Sequence, residues 1–156
     1  MEMNKNIVMV SEGYGCIDGR NAYNSDIKRL TIGLPMKEEN KNMQVAVQIW
    51  KENADGTEAV ACELPIHQVV DLMIFLSRTM LYFREAYRFP MLYDPGDPMV
   101  ERIGVQGGAM PVRICIENSD IKGDISKLAQ ALSDLGELTG ERMRSLYRIL
   151  EEMECY

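Results

Sequence analysis

Residues 11–26 read SEGYGCIDGRNAYNSD and hold the densest set of functional groups in the chain. Glu12, Asp18 and Asp26 offer carboxylates, Arg20 a planar fork of donors, Asn21 and Asn24 amides, Tyr14 and Tyr23 phenols and Cys16 a thiol. Gly13, Gly15 and Gly19 permit backbone conformations and close approaches to a ligand that a Cβ forbids. Carboxylate, guanidinium and amide groups on so permissive a loop suit a small polar ligand or the polar surface of a partner. Asp18, Arg20, Asn21, Tyr23 and Asp26 are therefore candidate binding residues, joined by His67. The same residues also fit turn chemistry, in which Asp18-Gly19 and Asn24-Ser25-Asp26 bond their own backbone while the tyrosines pin the loop.

Catalysis asks for more than this. His67 is the one histidine, and it would need Cys16, Cys62 or a serine within hydrogen-bond reach to form a nucleophile–base pair. No spacing supplies that pair, so no catalytic set is assigned and an enzyme is not the expectation. Gly13-Tyr14-Gly15 begins a dinucleotide fingerprint, but Asp18 stands where the third glycine belongs, and no GxxxxGK[ST] occurs. Asp94 and Asp97 flank Pro95-Gly96 as two carboxylates in a turn, too few for a calcium ion that takes six to eight oxygens. Cys16, Cys62, Cys115 and Cys155 are dispersed, with no CxxC pair and no second histidine for zinc. They read as reduced thiols of a cytoplasmic protein, Cys62 and Cys115 being small inward residues on strands. Neither a metal nor a cofactor is expected.

These groups must be held by elements that the periodicity outlines. Leu30, Ile32 and Leu34, then Val45, Val47 and Ile49, then Val60, Cys62 and Leu64 each recur every second residue, which predicts three half-buried strands. Asp55-Gly56 favours positive φ between the second and third, so these two form a hairpin. Ile66, Val69, Met73, Leu76, Met80, Phe83 and Tyr87 then step by 3, 4, 3, 4, 3, 4, which predicts a long helix over residues 65–89. Further apolar residues leave only Asp71, Arg78 and Glu85 as a polar line, so the helix is expected to be central and buried on most of its circumference. Pro65 suits its first turn and Pro90 its end.

Residues 100–106 and 112–117 repeat the strand pattern around Gly107-Gly108, a second hairpin in which Arg102 and Arg113 face Glu101 and Glu117. Asp124 is a plausible cap for a helix carrying Ile125, Leu128, Leu132 and Leu135, ended by a left-handed Gly136. Thr139 caps a last helix with Met143, Leu146, Leu150 and Met153. The order β-β-β-α-β-β-α-α describes one α+β domain over residues 1–156, an antiparallel sheet of about five strands with a long helix and a C-terminal helical hairpin. This order, with an acidic surface, is similar to that of class I type III secretion chaperones, a resemblance carried by the element order alone.

Of the 156 residues, 17 are Lys or Arg and 24 are Asp or Glu, a formal charge of −7. Residues 1–78 hold 8 basic and 11 acidic groups and residues 79–156 hold 9 and 13, so neither half is a basic module and nucleic acid is not an expected partner. The most apolar stretch is interrupted by Asp71, Ser77, Arg78 and Thr79, and no membrane span or secretory leader is expected. Surplus apolar surface on the long helix makes a homodimer a reasonable expectation. The sequence thus points to a non-enzymatic, cytoplasmic protein-interaction domain of the chaperone or immunity-protein kind. The alternative is a small-ligand-binding domain or enzyme built on residues 11–26.

Overall fold

The computed structural model describes residues 4–17, 26–85 and 93–154. The fold is mixed α+β, with strands β1 (Ile7–Ser11), β2 (Ile27–Gly33), β3 (Ala46–Glu52) and β4 (Glu58–Pro65), helix α1 (Ile66–Glu85), strands β5 (Met99–Val105) and β6 (Gly108–Arg113), and helices α2 (Ile121–Asp134) and α3 (Gly136–Glu152). The chain divides into two compact units, Met1–Ile74 and Phe75–Tyr156, with the boundary inside α1. No described helix is long and apolar enough to cross a membrane.

The first unit is built on a four-stranded antiparallel sheet in the order β1-β2-β3-β4. The β3–β4 turn follows its sequence: Gly56 takes φ +83°, and the Asp55 carboxylate accepts hydrogen bonds from the Thr57 amide and hydroxyl. One strand more than the periodicity indicates is present, because Ile7-Val8-Met9-Val10 is apolar without alternation and gives no period-two signal. Gly33 is required where β1 begins: a Cβ there would lie 1.9 Å from the Asn6 carbonyl oxygen, which accepts the Leu34 amide at 2.8 Å.

On β2, β3 and the end of β4 the buried face is the opposite of the one that apolar alternation selects, whereas Val60, beyond the β3–β4 bulge, pairs with Trp50 on the buried side. Thr31, Ala46, Gln48, Trp50 and Glu63 are buried, whereas Ile32 and Leu34 are exposed and Leu30, Val47, Ile49, Cys62 and Leu64 only half-buried. Polar side chains can occupy an interior when they satisfy one another, and these do. Pro65 ends β4, pairing with Ala46, rather than opening the helix.

In the second unit β5 and β6 form a two-stranded antiparallel ribbon around Gly107 at φ +78°. The ribbon accepts Pro111, since each of its strands is an edge. Because β6 runs from Gly108 to Arg113, Cys115 lies beyond the strand and is exposed rather than inward. Arg113 and Glu117 likewise pair locally, at 2.9 Å, instead of across the hairpin, and Glu101 pairs with Arg78 of α1 at 3.0 Å. Helix α2 starts after Asp120, three residues before Asp124, because the Asn118 side chain turns the chain by accepting the Asp120 amide. Only Leu135 separates α2 from α3, so Gly136 opens a helix instead of closing one, and the Thr139 hydroxyl donates back to the Leu135 carbonyl inside α3.

Helix α1 also differs from its expectation. No described side chain on it is fully buried, and Leu76, on its most regular apolar stripe, is 52% exposed. Periodicity reports which residues share a face of a helix; it does not report what covers that face. Its expected continuation through Tyr87 to Pro90 lies outside the described residues.

Candidate functional site

A chain of side-chain hydrogen bonds crosses the buried face of the first sheet. The Trp50 indole donates to the Thr31 hydroxyl at 2.8 Å, and that hydroxyl donates to Gln48 Oε1 at 2.7 Å. Gln48 Nε2 donates to the Leu34 carbonyl at 3.2 Å and to Glu63 at 2.9 Å. The Glu63 carboxylate also accepts the Met36 and Lys37 amides and the Asn40 side chain, at 2.9 to 3.2 Å. Burial pushes this carboxyl up, but the donors from Gln48, Lys37, Met36 and Asn40 outweigh it, so Glu63 titrates below the ordinary glutamate range. The carboxylate fastens the β2–β3 connection onto the sheet. With each group occupied, the seam is a scaffold and leaves no group for a ligand.

Arg29 extends this face toward an open cleft of about 560 Å³. Its guanidinium lies 4.1 Å from the Trp50 ring centroid, a cation–π distance, and donates to Asn4 at 3.1 Å. Arg29 Nε stands 2.8 Å from Glu58 as an ion pair, although its N–H is not aimed for a hydrogen bond. Glu12, Gly13, Lys28 and Thr57 also line the cleft, and Lys28 is paired with Glu52 at 3.0 Å. Two cations and two carboxylates thus leave a near-neutral rim, one that fits a polar or zwitterionic ligand better than a phosphate. Sequence reasoning passed over Arg29 and Trp50; the available signal was an arginine in step with Thr31, opposite the only tryptophan on the neighbouring strand.

Of the candidate residues chosen from sequence, Asp18, Arg20, Asn21 and Tyr23 lie outside the described residues. Asp26 is described: its carboxylate pairs with Lys51 at 3.1 Å and its carbonyl accepts the Glu52 amide, so it ties β2 to the end of β3. His67 is exposed at the start of α1, beside a cleft of about 480 Å³ shared with Asn40 and Gln44. Pro65, two residues before it, pairs with Ala46 at the beginning of β3, so Asp26 and His67 sit at opposite ends of that strand, roughly 20 Å apart at its rise per residue. The two do not form one site.

The remaining chemistry is sparse. Among the described residues no three His, Cys, Asp or Glu side chains gather as a metal site. Asp94 and Asp97 make a turn, with the Gly96 amide donating to the Asp94 carboxylate. The Cys115 thiol donates to Glu117 at 3.5 Å, but the bidentate hydrogen bonds of Arg113 hold Glu117 at about 2. A carboxylate so acidic is too weak a base to activate the thiol.

The edge of the sheet is the other unusual feature. Strand β1 is hydrogen-bonded to β2 on one side, and among the described residues no strand covers the other. Val8 is 79% exposed and Met9 67% exposed, and a bulge between Ile7 and Met9 brings an extra residue into the strand. Met9 pairs with Ile32, itself exposed, so apolar surface continues from β1 onto β2. Natural edge strands are guarded by short length, a bulge, a charge or a proline; Ile7–Ser11 is short and bulged but carries no charge or proline.

Residues 1–156 match the family of unknown function DUF6530, and the chain belongs to that family. No curated protein and no solved structure matches it.

Proposed function

We propose that this protein is a cytoplasmic interaction domain that docks another polypeptide on the β1 edge of its first sheet and has no catalytic activity of its own. The observation that carries this reading is the exposed apolar run of Val8, Met9 and Val10 on an edge strand without charge or proline. Such an edge offers main-chain donors and acceptors to an incoming extended segment, and the side chains beside it supply apolar contact. The partner is another protein or a second copy of this chain. Free thiols at Cys62 and Cys115 support a reducing compartment. The test compares proteins co-purifying with the parent chain and with Val8→Glu, a substitution at an exposed site. Loss of a specific partner, or of self-association, with unchanged melting supports the reading; identical associations with both chains contradict it.

A second reading, a small-polar-ligand domain, is favoured by one observation: Glu12 and Gly13, from the functional-group-rich first loop, share the cleft with Arg29. Thermal-shift screening with amino acids and other zwitterions tests it. A saturable stabilisation lost in Glu12→Gln supports this reading, and its absence across the screen counts against it.

A further inference from the structure

The second unit holds a cavity that neither reading uses. It measures about 300 Å³ and opens between α1, the β5–β6 ribbon and α2. Phe75, Tyr82 and Phe83 of α1 form one wall, Val112 of β6 the floor, and Ile125 and Leu128 of α2 the other wall. Among the described residues of this unit, Val112, Ile114 and Ile125 are the buried apolar ones, and all three line the cavity. Tyr82 and Phe83 meet edge-on, with centroids 5.2 Å apart, and burial raises the Tyr82 phenol above its ordinary range, so that rim group is neutral. An apolar cavity of half this size, about 150 Å³, holds a benzene ring, so the space is right for one ring with a short side chain.

The polar groups at the mouth decide which end such a ligand carries. Arg113 is engaged by both oxygens of Glu117 and by the Ile114 carbonyl, so its charge is already matched. Asn118 donates to one oxygen of Asp124 at 2.9 Å, which orients that carboxylate. The second Asp124 oxygen accepts no hydrogen bond among the described residues, and of the two charged groups in the described lining, Arg113 and Asp124, only Asp124 has no ion-pair partner. A cation is therefore favoured at the mouth and a carboxylate opposed, while aromatic faces nearby add to the attraction for an ammonium group.

We infer that this cavity is a binding site for a small aromatic amine, the ring enclosed by Phe75, Phe83, Val112 and Ile125 and the ammonium group held by Asp124. This inference is independent of docking on β1, since the site lies wholly within the second unit.

Calorimetric titration of the full chain with phenethylamine, 2-phenylethanol and 3-phenylpropionate tests the cavity and its charge preference together. The amine should bind saturably and at least roughly tenfold more tightly than the alcohol, with the carboxylate weakest, as one charged hydrogen bond implies. Asp124→Asn should bring amine and alcohol together. Leu128→Trp, which fills the cavity from a half-exposed position, should abolish binding of both while melting stays near the parent value. Absence of saturation below millimolar amine, equal affinity for all three probes, or an amine preference that survives Asp124→Asn would each overturn the inference. Should Asp124→Asn fail to fold, the Leu128→Trp result and the ranking of the three probes still decide it.

Discussion

Glu63 is the residue on which the first unit turns. It accepts from Gln48, Met36, Lys37 and Asn40, so one carboxylate holds two strands and the connection between β2 and β3. Glu63→Gln keeps the shape but turns a donor toward those donors, and should cost about 2 kcal/mol in urea unfolding followed by Trp50 fluorescence. The same carboxylate makes stability depend on pH. Its folded value lies below its unfolded value, so its contribution is complete above the unfolded value of about 4.3 and is lost as pH falls toward the folded one. The parent should therefore lose stability below about pH 4.3 more steeply than Glu63→Gln. Parallel pH curves for the two chains would contradict the role given to Glu63. None of this was legible in Cys-Glu-Leu on a strand, because alternation marks Glu63 as the solvent side. Only the hydrogen bonds from a distant connection reverse that reading.

Elements defined by strong local signals were legible, and those whose identity depends on packing were not. Asp55-Gly56 specifies its turn through backbone conformation alone, and the β3–β4 hairpin follows. Apolar alternation locates β2, β3 and β4, but the inner face of β2, β3 and the end of β4 is the other one, since Thr31, Gln48 and Glu63 satisfy one another and Trp50 is in step with them; only Val60, shifted by the bulge, is on the face that alternation marks. Strand β1 was missed because four apolar residues in a row carry no period. The helical stripe locates α1, which opens at Ile66 rather than at Pro65, but it does not report how little of the helix is buried. Its energetics should show this. Leu76→Ala, at a half-exposed position, should cost less than about 1 kcal/mol, whereas Ile125→Ala, at a buried one, should cost roughly 2 kcal/mol or more. Chemical denaturation of the two variants tests the contrast, and equal losses would mean that α1 is packed as tightly as α2. Of the sequence-chosen site, Asp26 and His67 lie among the described residues, at opposite ends of β3, and Asp26 ties β2 to that strand.

At the scale of the whole molecule, the formal charge of −7 is spread over both halves, with acidic groups outnumbering basic ones in each. Neither half carries the basic excess that draws a protein onto a phosphate backbone, so fluorescence anisotropy with single- and double-stranded DNA and RNA near 0.15 M salt should show no submicromolar binding. Salt-sensitive tight binding would overturn that expectation. What the molecule offers instead is an apolar edge, and backbone amide exchange reads that edge directly. The protein should be isolated from cells with its associated partners and compared with the same chain purified alone. In the assembled state the amides of Ile7–Ser11 should be protected by at least roughly tenfold, as main-chain pairing to an added strand requires. Exchange of this segment at the same rate in both states would contradict docking at β1.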